Sequence, residues 1–159
     1  MSQVSPIPEG FHSLTPHIVV KGAADAIAFY REAFGAEEVC RMSGPGGGLM
    51  HAELRIGNSP LMLADENPMF PGFDAPKAPG ASPVKLHLYV EDCDAVFKRA
   101  VAAGATPAME PADMFWGDRY SSLICPFGHV WNIATHKEDV TPEVMGERAA
   151  KMFGGCDSD

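Results

Sequence analysis

A chain of 159 residues with 46% hydrophobic and 21% charged residues has the size and balance of one globular domain. Its net charge of -9 argues against nucleic acid or an anionic membrane as a partner, because both select a basic face. The sequence has no apolar run of membrane-spanning length and no secretory leader, so we expect a cytoplasmic protein. Its four cysteines are widely spaced, which predicts free thiols in a reducing compartment.

The first predicted element is a strand over about 14–20, where apolar and polar side chains alternate. An amphipathic helix follows at about 23–34 and ends at a glycine. Strands near 37–43 and 49–56 flank a glycine-rich hairpin loop, and a fourth strand lies near 60–65. These elements form a βαβββ unit.

The second half of the chain repeats this order. A strand at about 84–90 leads to a helix at about 92–103, with an aspartate as its N-cap. Strands near 106–112, 119–125 and 129–135 complete the second unit.

Equivalent landmarks keep a constant distance between the halves. His17 and His87 are 70 residues apart (87 − 17), and Gly35 and Gly104 are 69 apart (104 − 35). The chain is therefore an internal repeat. We predict an α+β fold of tandem βαβββ units, in which paired, curved, mixed sheets carry their helices on the outer faces.

The remaining segments complete one domain over 1–159. Its two units cover about 12–66 and 83–136, and a linker at 67–82 is rich in proline and glycine. A C-terminal helix is predicted at about 141–153, with a frayed polar tail after it. Phe70 and Phe73 place two aromatic rings in the linker, which favours either a lid over a cavity or a disordered loop.

Several motifs resemble one known family. They are YREAFGA at 30–36, HAELRIG at 51–57, FWGDRY at 115–120 and PFGHVW at 126–131. Together they resemble the vicinal oxygen chelate superfamily, which includes glyoxalase I, bleomycin-resistance proteins and extradiol dioxygenases, and within it a PhnB-like branch. The resemblance covers about 12–136 and implies the glyoxalase/bleomycin-resistance fold, although one fold hosts many chemistries.

The resemblance also implies a divalent metal, held by His, Gln or Glu on the first and fourth strands of each unit and acting as a Lewis acid. Alignment on the helices and final strands places Thr15, Met62, Lys85 and Asn132 at these positions. Such donors suit a divalent ion poorly, so we expect neither a metal there nor another cofactor. Lys85 and Asn132 would face each other instead, and Lys85 would either bind an anionic ligand or reach solvent.

Other side chains could bind a metal ion at a position shifted from the one that the family implies. His17 and His87 lie two residues beyond the expected first-strand positions and so point to the same faces. His51 and Glu53 share one side of a strand and are also candidate general acid–base groups. The fallback metal set is therefore His17, His51, Glu53 and His87. The alternative is that the histidines line a cavity as neutral polar groups and that His51 and Glu53 form a cross-strand pair.

Trp116 and Arg119 are candidates for ligand contacts. The indole could stack on a flat ligand, and the guanidinium could hold a carboxylate or phosphate. The same side chains could instead pack the hairpin and pair across strands.

Three functions agree with these patterns. The first is binding of a small molecule in a cavity formed by the sheets, without the usual metal centre. The second is a metal-dependent lyase, isomerase or dioxygenase with the shifted ligand set, and the third is a metal-free enzyme with a Glu or His base. The resemblance implies a homodimer in each case, with the C-terminal helix as a candidate interface.

Overall fold

The computed structural model describes residues 4–154, so the predicted polar tail with Cys156 lies outside the described residues. Its elements in chain order are β1 (His17–Val20), α1 (Ala23–Phe34), β2 (Glu37–Ser43), β3 (Leu49–Ile56), β4 (Ser59–Asp65), β5 (Lys85–Tyr89), α2 (Cys93–Ala102), β6 (Thr106–Asp113), β7 (Asp118–Ile124), β8 (Val130–His136) and α3 (Pro142–Phe153). The predicted pair of βαβββ units is confirmed.

Each unit folds into one four-stranded mixed sheet. The strand orders are β1-β4-β3-β2 and β5-β8-β7-β6, with the first pair of each sheet parallel and the others antiparallel. The first strand starts at His17 rather than near residue 14. Pro16 directly precedes it, and a proline has no N–H to donate to a strand ladder.

Helices α1 and α2 each bury one face against their own sheet and keep the other face in solvent. They also pack on each other, so the two units share one core. The ring of Trp131 in β8 lies 5.3 Å from Tyr30 and 4.6 Å from Phe34 of α1. Fully buried large aliphatic side chains such as Leu63 and Leu123 each contribute about 1.5–3 kcal/mol relative to exposure.

The C-terminal helix α3 lies on the surface. Thr141 accepts a hydrogen bond from the Val144 N–H as its N-cap, and no residue of the helix is buried. A bidentate ion pair joins Arg148 to Glu138, with N–O distances of 2.8 and 2.9 Å. The ring centroids of Phe153 and Phe115 are 6.0 Å apart. Within the described residues, no helix is long and apolar enough to cross a membrane.

Candidate functional site

The two sheets each have a face that carries no helix, which we call the open face. In β1, Ile18 and Val20 are buried beneath α1, whereas His17 points the other way. In β3, Ala52 and Leu54 are buried, and the alternate residues His51 and Glu53 lie on the open face. The structure therefore brings His17, His51 and Glu53 onto one surface.

Strand register places these groups in a compact arrangement. His17 is opposite Met62 of β4, Met62 is opposite Glu53, and Glu53 is opposite Cys40 of β2. One row of side chains thus crosses all four strands of the first sheet. Thr15 lies outside this row, before β1 begins.

His51 and Glu53 are hydrogen-bonded, with 3.2 Å between Nε2 and Oε1. The His17 ring stands edge-on to the rings of His51 and Phe73, at centroid distances of 5.8 and 5.6 Å. Partial burial, followed by the charge of His51, lowers the pKa of His17 below its ordinary value. His17 is therefore a neutral imidazole near neutral pH, able to donate one hydrogen bond and accept another.

Cys40, Cys93 and Cys125 are free thiols, in agreement with their spacing in the sequence. Desolvation, followed by the charge of Glu53, raises the pKa of Cys40. Burial likewise raises the pKa of Cys93. Both groups are therefore held as thiols rather than nucleophilic thiolates.

The linker covers one end of the first open face. It closes a short loop in which the Asn67 N–H donates to the Phe73 carbonyl at 2.9 Å, and the rings of Phe70 and Phe73 lie 6.2 Å apart. Beneath this loop is a cavity of about 290 Å³. The glycine-rich β2–β3 hairpin forms its other wall. Phe73 stands between this cavity and His17.

The second open face has a different centre. His87 is opposite Asn132, and Asn132 is opposite Ser122, whose hydroxyl donates to its Oδ1 at 3.0 Å. Lys85 is opposite Val130, so His87 takes the place that the sequence assigned to Lys85 beside Asn132. The difference is a shift of two residues along β5. Lys85 is exposed and makes no salt bridge within residues 4–154.

Trp116 and Arg119 both have partners inside the protein. The Trp116 indole N–H donates to Asp118 at 3.1 Å, and Arg119 binds both carboxylate oxygens of Asp94 at 2.9 Å. Asp94 also raises the pKa of Arg119. Asp94 lies in α2, and an anionic ligand would compete with it for the Arg119 guanidinium.

Asp118 is a functional candidate that the sequence reasoning missed. Its side chain is only 4% exposed and accepts hydrogen bonds from the Tyr89 hydroxyl at 3.1 Å, the Trp116 indole and His136 Nδ1 at 2.8 Å. His136 in turn bonds to Asp139 at 2.9 Å. The FWGDRY motif contains both Asp118 and Trp116, but Tyr89 and His136 lie 29 and 18 residues from Asp118, so no local pattern indicated the network.

The residues on the open faces do not fit the divalent metal that the resemblance implies. The central cross-strand pairs are His17–Met62 and His87–Asn132, which offer an imidazole with a thioether or an amide but no carboxylate. The carboxylate of Glu53 is bonded to His51 instead. Across residues 4–154, no three His, Cys, Asp or Glu side chains converge to hold an ion.

Comparison with known proteins identifies the family. The model of the glyoxalase/bleomycin resistance protein/dioxygenase superfamily matches residues 10–133. The chain belongs to this superfamily. An uncharacterised protein from Mycobacterium bovis is 45% identical over 142 residues, which cover 88% of this chain and 91% of that protein.

Solved structures agree on the fold. TioX from Micromonospora sp. ML1 has a TM-score of 0.63 and 23% identity, covering 79% of this chain and 98% of its own. A PhnB protein from Bacillus cereus has a TM-score of 0.61 and 18% identity, covering 78% and 99%. At such identities these proteins share the fold, and one fold supports many activities.

Proposed function

We propose that this protein binds a small organic molecule at the covered end of the first open face. The observation that carries the proposal is the contact of Phe73 with His17, which joins the cavity of about 290 Å³ to a neutral imidazole. Small-molecule sites typically combine an apolar wall with a few polar groups that orient the ligand. Here Phe70, Phe73 and Leu49 provide apolar wall, and the polar lining of the cavity is Asp65, Glu66 and Asn67. His17 and His51 lie beyond Phe73, where they would hydrogen-bond a ligand that extends past that ring.

The proposed site works without a resident divalent metal and without turnover of its ligand. The test screens small aromatic and heteroaromatic compounds for a rise in melting temperature, because a ligand that binds only the native state stabilises it. Hits are then titrated by calorimetry against wild type, Phe73→Ala and His17→Ala, with the exposed Phe153→Ala as the matched control.

Binding weakened by the first two variants, retained in the control and unaffected by a chelator supports the proposal. Binding that disappears on chelation, or that the Phe73 and His17 variants leave unchanged, contradicts it. Elemental analysis of untagged protein checks the metal content independently.

The hydrogen bond between His51 and Glu53 favours a second function on the same surface. A carboxylate that orients an imidazole is an arrangement used for general-base catalysis. A ligand bound beside His51 would then exchange an acidic C–H proton with solvent. NMR in deuterated water detects such exchange, and its persistence in Glu53→Gln and His51→Asn would exclude these residues as the base.

The proposal also includes a homodimer in which a second copy approaches the open faces. Large apolar side chains remain uncovered there, since Met42 is 57% exposed and Tyr89 is 61% exposed. Light scattering should give twice the mass of the chain, and Met42→Glu should shift the protein toward the monomer. A monomeric wild type over the micromolar range would refute this part of the proposal.

A further inference from the structure

The two units differ at the turn before their last strand. In the first unit Ile56 pairs with Ser59, which leaves a two-residue turn of Gly57 and Asn58. In the second, the Cys125 N–H donates to the His129 carbonyl at 2.9 Å, which leaves the three residues 126–128. The second turn is therefore one residue longer.

The longer turn packs against the free edge of the first sheet, which is strand β1. The Phe127 ring packs against the rings of Phe29 and Tyr30, at centroid distances of 6.2 and 6.3 Å. His129 is buried, and its Nε2 donates to the carbonyl of Val19 in edge strand β1 at 2.8 Å. This turn fills space at the edge and satisfies an edge carbonyl.

The shorter turn leaves the equivalent edge of the second sheet open. A cavity of about 430 Å³ lies beside the free edge of β5. Its other walls are the shorter turn with its flanking residues and the segment before β1. Its apolar lining includes Leu14, Ile56, Leu61, Leu86, Leu88 and Trp131. A cavity of this volume falls in the range of roughly 300–1,000 Å³ that small-molecule sites occupy.

The polar groups of this cavity are all basic or neutral. His12, Lys85 and His87 line it, and no Asp or Glu of residues 4–154 does, in a protein whose net charge is -9. Trp131, which lines the cavity, is only 4% exposed. An apolar chamber with a cationic rim matches an amphipathic organic anion.

We propose that this cavity is a second binding site, for a monocarboxylate with an apolar body. The alkyl or aryl part lies among the leucines and Trp131, and the carboxylate pairs with Lys85 beside His12 and His87. The site is separate from the one beneath Phe73, so either can exist without the other.

The test is calorimetric titration with decanoate below its micellar concentration. Lys85 is exposed, so Lys85→Gln should fold normally and weaken binding about tenfold, as expected for one charge-assisted hydrogen bond. Lys98→Gln, an exposed lysine on α2, is the matched control and should change nothing. Decanol, which lacks the carboxylate, should bind wild type and Lys85→Gln equally.

Retention of decanoate binding in Phe73→Ala separates this site from the proposed function. Absence of binding, or equal binding by wild type and Lys85→Gln, overturns the inference. Binding lost in Phe73→Ala but kept in Lys85→Gln would place decanoate in the first site and also overturn it. Binding that weakens as protein concentration rises would assign the cavity to a second copy of the chain.

Discussion

Asp65 and Thr135 stand at equivalent places in the two units, 70 residues apart (135 − 65), and each accepts a hydrogen bond from the first N–H of its unit's helix. Asp65 Oδ1 accepts hydrogen bonds from the N–H groups of Gly22 and Ala23, both at 2.8 Å. The Thr135 hydroxyl accepts from the Cys93 N–H and donates to the Val90 carbonyl, both at 2.9 Å. In both units, therefore, a side chain of the last strand is hydrogen-bonded to the start of the helix.

Loss of the Asp65 carboxylate should destabilise the fold. Gly22 has no side chain to cap α1, so Asp65 supplies the acceptor, and its other oxygen accepts from the Leu49 N–H at 2.7 Å. We expect Asp65→Ala to lower the free energy of unfolding by about 1–2 kcal/mol, measured by urea denaturation. Asp25→Ala, an exposed first-turn residue, is the control. An unchanged midpoint for Asp65→Ala would show that the cap is dispensable.

The buried Asp118 network should be more sensitive to truncation than to conservative change. Asp118→Ala leaves the Tyr89, Trp116 and His136 donors without their acceptor, and we expect a loss of about 1–3 kcal/mol. Tyr89→Phe removes one donor and should cost less. Thermal and urea unfolding rank the variants, and a larger loss for Tyr89→Phe than for Asp118→Ala would contradict this account.

His136 should make stability depend on pH. Its hydrogen bond to Asp139, and then that to Asp118, raise its pKa above the ordinary value of 6.5. A histidine whose pKa is higher in the folded protein than in the unfolded chain stabilises the folded state when it is protonated. This stabilisation is complete below the pKa of the unfolded chain and is lost as the pH rises through the pKa of the folded protein. The contribution of His136 should therefore decrease between about pH 6 and pH 8.

The measurement is the unfolding midpoint across this range for wild type and His136→Asn. The difference between the two proteins should be larger at the acidic end. His12→Asn, outside this network, controls for the loss of a histidine. A difference that stays constant or grows with pH would reverse the sign and refute the assignment.

His17 should titrate below its ordinary pKa of 6.5, because partial burial and then the charge of His51 disfavour its cation. NMR titration of the ring protons measures this directly. In His51→Asn the pKa of His17 should move upward, since one of the two causes is removed. His87→Asn, on the other sheet, should leave it in place. A value at or above 6.5 in wild type would contradict the proposed neutral imidazole.

Spacing of residues along the chain predicted the fold well. The alternation in β1 and β3 and the helical periodicity of α1 are local properties, and their recurrence some 70 residues later marked the repeat. Pro16 was the exception, because it shortened β1 where alternation alone continued the strand.

The candidate site was harder to predict from the sequence than the fold. The i, i+2 spacing placed His51 and Glu53 on one side of a strand, and the structure adds their hydrogen bond. Register is a relation between strands, so local patterns could not assign Met62 to His17 or Asn132 to His87.

By itself, the sequence determined the two βαβββ units, the α+β class and the resemblance to the superfamily, because these follow from periodicity and motifs written along the chain. Only the tertiary structure decided that His17 meets Phe73, that Asp118 gathers Tyr89 and His136, and that a shorter turn leaves a cavity beside β5. These contacts join residues far apart in the chain, and their geometry is set by packing in three dimensions, which no local pattern encodes.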